Sequence, residues 1–324
     1  MPKLALTLAC GDYDKTHALF DGSVQVEGVD LNYVPIEPAG EIFWRMLRHE
    51  EFDASELSLS NYMMGVARGD RRFVAIPIFP YRVFRHSSIW TNTASGIREP
   101  KDLAGKKIGS PEYAMTALLY VRGLLQHEYG VAPQDMHWFR GRPERVSLPA
   151  SLHIQDLQPG QSIDAMLDSG ELDVVASTSV PKGFQQGSPR IERLFPNARE
   201  VEADYFRRTR IFPIMHVVAI RRELYERNRW LARGLAKGFQ EAKERCYEHL
   251  RRHISGLYSL PWSTSDFEDA WRIFDGDPYP YGVPANLPTL EAAIQFSFEQ
   301  GLSERRLSLE ELFVPEAMDV FTSH

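Results

Sequence analysis

The chain has 324 residues, of which 43% are apolar and 25% charged, with a formal net charge of −7. The acidic balance excludes a nucleic-acid partner, because gripping phosphate backbones takes a broad basic surface, but it leaves room for a small anion held in a local basic pocket. The length exceeds one small core and implies two lobes of roughly 100–200 residues each. Cys10 and Cys246 stand far apart, which fits free thiols in a reducing cytoplasm rather than a disulfide framework. No run of about 18 apolar residues is present to span a membrane.

In chain order, LALTLA (4–9) reads as a first strand rather than a secretion signal, because its leucines alternate with small or polar residues. VDLNYVPI (29–36), DASELSLS (53–60) and RFVAIPIF (72–79) read as further strands. EIFWRMLRHE (41–50) is an amphipathic helix with Ile42, Phe43, Met46 and Leu47 on one face, and a second helix is expected around 61–69. HSSIWTN (86–92), KKIGS (106–110), MHWFRG (136–141) and VVASTS (174–179) supply strands of a second unit. Ser110 and Pro111 read as the N-cap and first residue of a helix ending at Gly130. RIFPIMHVVAIRR (210–222) is one long strand, and a helix over about 228–250 follows it. Strand–helix–strand units of this kind imply mostly parallel sheets with helical cover. With no linker in sight, the chain crosses between lobes at 86–92 and returns at 211–220. That organisation places residues 1–88 and 215–324 in one discontinuous lobe and residues 89–214 in the other. The ligand site falls in the cleft between them.

Chemistry concentrates at the crossings. Arg82, Arg85 and His86 stand together in FPYRVFRHSSIWTN (79–92). Arginine offers a planar fork matched to carboxylate, so the cluster suits a dianionic small molecule; the plainer reading is helix capping or a surface ion pair. His216 lies in an apolar strand, either as a satisfied core histidine or as a cleft group. Glu112 either complements a helix dipole or faces the cleft as an acid or base, with Tyr113 and Thr116 nearby. Ser58, Ser60 and Asn61, and Ser177 and Thr178, end strands as hydroxyl and amide pocket liners or as turn residues. No HExxH metal motif, G-x-S-x-G elbow or glycine-rich phosphate loop is present, and no metal or cofactor is expected.

The segments FDASELSLSNY (52–62), FPYRVFRHSSIWTN (79–92), DLAGKKIGSPEYAMTALLYVRGLLQHEYGV (102–131), GELDVV (170–175), IFPIMHVVAIRRE (211–223) and YPYGVPANLPTLEAAIQFSFEQGL (279–302) resemble the 4,5-dihydroxyphthalate decarboxylase family. PIMHVV and the FRHS/SPEY pair are the most specific of these segments. The chain departs from the family pattern at Leu287, where a basic residue is expected, and at Arg140 and Arg142, in a loop usually richer in glycine. The resemblance implies an α/β, two-lobed fold like the type II periplasmic binding proteins. It also implies a cytoplasmic lyase without cofactor that decarboxylates a dihydroxylated aromatic diacid and forms a homo-oligomer. The alternative is a receptor for a small aromatic carboxylate without catalysis. On the decarboxylase reading, His216, Glu112 and His86 are the catalytic candidates. Arg82, Arg85, Tyr113, Thr116, Ser60, Asn61, Ser177, Thr178 and Tyr281 are the substrate-binding candidates, with Tyr279 beside Tyr281 at the rim.

Overall fold

The computed structural model describes residues 2–252, 259–318 and 320–321. Its strands, in chain order, are β1 (Leu4–Cys10), β2 (Val29–Pro35), β3 (Ala54–Ser58), β4 (Phe73–Ile76), β5 (Ile89–Asn92), β6 (Lys107–Ser110), β7 (His137–Arg140), β8 (Gln155–Asp156), β9 (Val174–Ala176), β10 (Ile191–Arg193) and β11 (His216–Arg221). They form two sheets, with orders β2-β1-β3-β11-β4 and β10-β5-β9-β6-β7-β8. The sheets are mixed rather than nearly all parallel. β11 runs antiparallel to both β3 and β4, and β5 runs antiparallel to both β9 and β10. Each is the strand the chain enters on arriving in a new sheet, so the antiparallel member marks the arrival from the other lobe.

The two crossing segments pair with each other. Arg82 and Ile214 form an antiparallel bridge, Met215 N–H donates to Tyr81 O at 3.0 Å, and Val83 N–H donates to Pro213 O at 3.3 Å. The expected strand over 210–222 is therefore two elements: a short hinge ribbon paired over 213–215, then β11. The strand expected over 53–60 also divides. It stops at Ser58, whose Oγ accepts Asn61 N–H at 3.4 Å and caps the helix Leu59–Ala67. The helix expected from Pro111 begins at Thr116 instead, because Glu144 takes the Tyr113 and Ala114 N–H groups at 2.6 and 3.0 Å and holds residues 111–115 out of the helix.

The helix Thr116–Tyr129 is buried along most of its length and packs on the C-terminal helix Leu287–Glu299. Gly123 permits the close approach: a Cβ there would stand 2.2 Å from the Phe296 ring. Gly123→Ala is expected to lower stability by about 2 kcal/mol despite the better helix propensity of alanine, as measured by urea unfolding, because overpacking a filled interface outweighs the propensity gain.

Candidate functional site

A cleft of about 740 Å³ opens at the hinge ribbon, lined by Gly11, Tyr13, Phe43, Tyr81, Arg85 and His216 among others. Two helix N-termini also reach it. Thr116 Oγ1 lies 2.9 Å from Ser58 Oγ and accepts Ser60 N–H at 3.0 Å, which ties the helix Thr116–Tyr129 to the helix Leu59–Ala67. Both helix starts present partial positive charge, which suits an anionic occupant.

His216 begins β11 directly opposite Ser58, with Glu56 two residues along β3 on the same face. Its Nδ1 stands 2.9 Å from Glu56 Oε1, an ion-pair contact whose angle falls short of a well-aligned hydrogen bond. Glu56 is fully buried, and its other donors are well placed. Tyr13 Oη donates to Oε1 at 2.9 Å, while Gly11 N–H and Cys10 Sγ each donate to Oε2 at 3.0 Å. Burial alone would push this carboxyl up; the His216 charge and these hydrogen bonds outweigh it and hold Glu56 below the usual carboxylate range. The His216 ring stacks on Tyr81 at 5.0 Å between centroids, and Tyr81 stacks on Tyr13 at 5.6 Å, so three rings form a column in the cleft wall. Phe43 meets His216 edge-on at 4.8 Å.

Arg85 lines the same cleft and is 5% exposed. Its Nε donates to Met215 Sδ at 3.2 Å, and among the described residues no carboxylate pairs with it. Desolvation lowers it from 12.5 to about 10. Glu202 acts on it only from beyond ion-pair distance, and a buried guanidinium facing a cleft without a paired carboxylate is a place for an anion. Ser58, Asn61, Thr116 and Thr178 complete the predicted residues that the structure brings to the cleft.

The other predicted residues lie outside it. Arg82 is a hinge tie: its two Nη groups donate to Asn286 Oδ1 at 2.6 Å and Phe212 O at 2.7 Å, and it does not line the cleft. Glu112 accepts hydrogen bonds at Oε1 from Arg142 Nε (2.7 Å) and Arg145 Nη1, so its carboxylate is engaged by two guanidinium groups beside the cleft. Tyr113 is buried beneath the Arg122 guanidinium, 3.7 Å from its ring centroid. The Ser60 side chain is buried away from the cleft, and Ser177 Oγ accepts Ser179 N–H at 3.1 Å in a turn. Tyr281 is a core residue, with Lys243 Nζ 4.3 Å above its ring. Tyr279 likewise packs edge-on against Phe212 at 5.6 Å.

His86 is buried edge-on against Phe195 and Tyr205, and its nearest carboxylate oxygen, on Glu202, is 3.8 Å away, too far for a hydrogen bond. Burial, aided by Arg208, lowers it from 6.5 to about 4. It is therefore neutral when folded and takes a proton only on unfolding between those values. Its contribution is intact above pH 6.5 and is lost as pH falls toward 4. The expected acid destabilisation from this group is about 3 kcal/mol, and His86→Leu is expected to flatten the dependence of Tm on pH over that window while activity persists.

Glu56, Tyr13, Tyr81 and Arg145 are cleft groups, or partners of them, that the sequence did not single out, and Arg142 stood out in it only as a departure from the family pattern. Glu56 alone left a signal: a carboxylate inside a buried strand, on the same alternating face as Ser58 and Ser60. Among the described residues, no group of three or more histidine, cysteine or acidic side chains is placed to hold a metal ion. Among them, too, no helix is long and apolar enough to cross a membrane.

Two mixed sheets joined by a paired hinge over a ligand cleft define a protein of the two-lobed periplasmic-binding-protein class. The periplasmic aliphatic sulphonate binding protein SsuA of Escherichia coli superimposes with a TM-score of 0.57 at 14% identity, covering 97% of this chain and 98% of that one. The alkanesulfonate-binding protein SsuA of Xanthomonas axonopodis pv. citri, bound to MOPS, gives 0.53 at 12% identity, covering 98% of each chain. These likenesses establish the fold alone. No family model matches the chain. A 4,5-dihydroxyphthalate decarboxylase of Comamonas testosteroni is 36% identical over 329 residues, covering 99% of both chains. A second, of Pseudomonas putida, is 39% identical over 215 residues, covering 64% of this chain and 83% of its own. The chain belongs to the 4,5-dihydroxyphthalate decarboxylase family.

Proposed function

We propose that the protein is a cytoplasmic carbon–carbon lyase that converts 4,5-dihydroxyphthalate to protocatechuate and CO2. The observation that carries this reading is one cleft holding a desolvated Arg85, with no described carboxylate within ion-pair distance, together with a His216–Glu56 pair. Arg85 anchors the carboxylate that is retained and so holds the ring in place while the other carboxylate leaves. The hydroxyl para to the departing group pushes electron density into the ring and releases its proton. His216, as imidazolium, donates its Nε2 proton to the ring carbon bearing that carboxylate, forming the new C–H bond. The C–C bond then breaks, CO2 leaves, the bonding pair returns to the ring, and the oxygen regains a proton. The net change is one proton taken up and one CO2 released.

Glu56 supplies the counter-charge for the imidazolium, and the Tyr13–Tyr81–His216 column fixes the ring that moves the proton. The assignment of residues 1–88 and 215–324 to one lobe and 89–214 to the other lets closure at the hinge exclude water from the cleft. The test is to incubate purified protein with 4,5-dihydroxyphthalate and follow protocatechuate by chromatography alongside evolved CO2. Stoichiometric appearance of both supports the reading. Saturable binding of the diacid with no product at micromolar protein overturns it in favour of a receptor.

A further inference from the structure

Arg142 and Arg145, in the loop that follows β7, also line the cleft. Both converge on Oε1 of the buried Glu112. The neighbouring Glu144 turns its carboxylate to the Tyr113 and Ala114 N–H groups and lies 3.8 Å from Arg140, so Glu112 is the carboxylate that the two guanidinium groups share among the described residues. Glu112 occupies only Nε of Arg142 and Nη1 of Arg145, and Arg145 Nε donates across the cleft mouth to Gly40 O at 3.1 Å. The remaining N–H groups of both forks are available to a ligand. The approach to Gly40 is close: a Cβ there would stand 2.5 Å from Arg145 Nη2.

We propose that the Arg142–Arg145 pair is a second carboxylate subsite, one that makes the cleft selective for a diacid. This rests on the decarboxylase reading and specifies how that same site recognises its substrate. The open forks support it: among the described residues no carboxylate lies within ion-pair distance of Arg85, and Arg142 and Arg145 keep N–H groups that Glu112 does not take, which suits an aromatic diacid ionised at both groups. Glu56 is engaged by His216, and Glu37 is exposed at the rim, so neither cancels this match. The chemistry also favours carboxylate over phenol here, since a paired fork matches two coplanar oxygens and a catechol hydroxyl is neutral at pH 7. The departing carboxylate then enters from the lobe that carries β7, while Arg85 keeps the retained one.

The experiment measures binding by calorimetry for two unreactive or product ligands. Phthalate carries both carboxylates and no hydroxyl, and protocatechuate carries one carboxylate and both hydroxyls. Arg142→Gln is expected to weaken phthalate binding about tenfold and change protocatechuate binding by less than about twofold. Arg142→Lys is expected to recover part of the loss, since it restores charge but not the fork. Thermal melts of both variants confirm that the fold persists, and Arg145→Gln serves as the second variant if Arg142→Gln fails to fold. Unchanged phthalate binding in variants of an enzyme that still turns over 4,5-dihydroxyphthalate overturns the subsite and leaves the decarboxylase reading standing. An equal loss for both ligands, or a loss confined to protocatechuate, also overturns it, by assigning the pair to closure or to the hydroxyls. Wild-type protein that neither binds phthalate nor turns over the substrate removes both readings together.

Discussion

Arg85→Met is expected to lower kcat/KM for 4,5-dihydroxyphthalate by about 10²–10³-fold while leaving the protein as stable as before or more so. The two halves of this expectation have one cause. The Arg85 side chain is buried, its Nε donates to the Met215 thioether, and no described carboxylate lies within ion-pair distance of it, Glu202 acting only from further away. A desolvated charge without a partner costs the apo fold free energy, so an unbranched apolar side chain of similar length relieves that cost by about 1–3 kcal/mol. The same desolvation strengthens the hydrogen bonds a bound carboxylate makes there, and truncating one side of such a pair costs about 3–4 kcal/mol of transition-state binding. Arg85→Lys keeps the charge but replaces the fork with a point donor, and an intermediate loss is expected. Steady-state kinetics and urea unfolding on the same preparations measure both effects. A variant that loses activity only in proportion to lost stability shows Arg85 to be a packing residue.

That division between activity and stability explains what was legible in the sequence. The family segments and the strand–helix alternation carried the two-lobed fold, and FPYRVFRHSS and PIMHVV marked the hinge, because a cation or an imidazole in an apolar crossing strand is costly unless it has a purpose. Which of the clustered cations serves the ligand was not legible. Arg82 and Arg85 are three residues apart and equally buried, yet one fork is filled by Asn286 and the Phe212 carbonyl and the other is open. Those partners come from 130 and 204 residues along the chain, and no local pattern encodes them. His86 was drawn in by proximity for the same reason; the aromatic rings of Phe195 and Tyr205 remove it from the cleft. Glu112 looked free because its two arginines lie in a loop whose path is set by tertiary contact. Glu56 was missed because an alternating strand reading assigned its face to hydroxyls, although a carboxylate enclosed on all sides demands a cation as surely as a buried arginine demands an anion.

That demand gives the second large expectation. His216→Leu and Glu56→Gln are each expected to cut kcat by about 10²–10⁴-fold, and the double variant is expected to be no slower than the worse single one, because an acid and its counter-charge act as a unit. Their stabilities should diverge. In the wild type, Glu56 is held below its ordinary 4.5, so the pair's contribution is fully present above that value and is lost as pH falls through the lower folded one. His216→Leu removes the chief opposing influence on burial, and the carboxyl then rises above its unfolded value. The sign reverses: the single variant is expected to lose stability as pH rises from about 5 to 8, by roughly 3–5 kcal/mol for a stranded buried charge. Adding Glu56→Gln to it removes the stranded charge, restores most of the neutral-pH stability and leaves the enzyme inactive. Urea unfolding of the four proteins at pH 5 and pH 8 reads this out directly. A His216→Leu protein with the wild-type pH dependence would mean that Tyr13, Gly11 and Cys10 alone keep Glu56 charged, leaving its link to the histidine as one of proximity only.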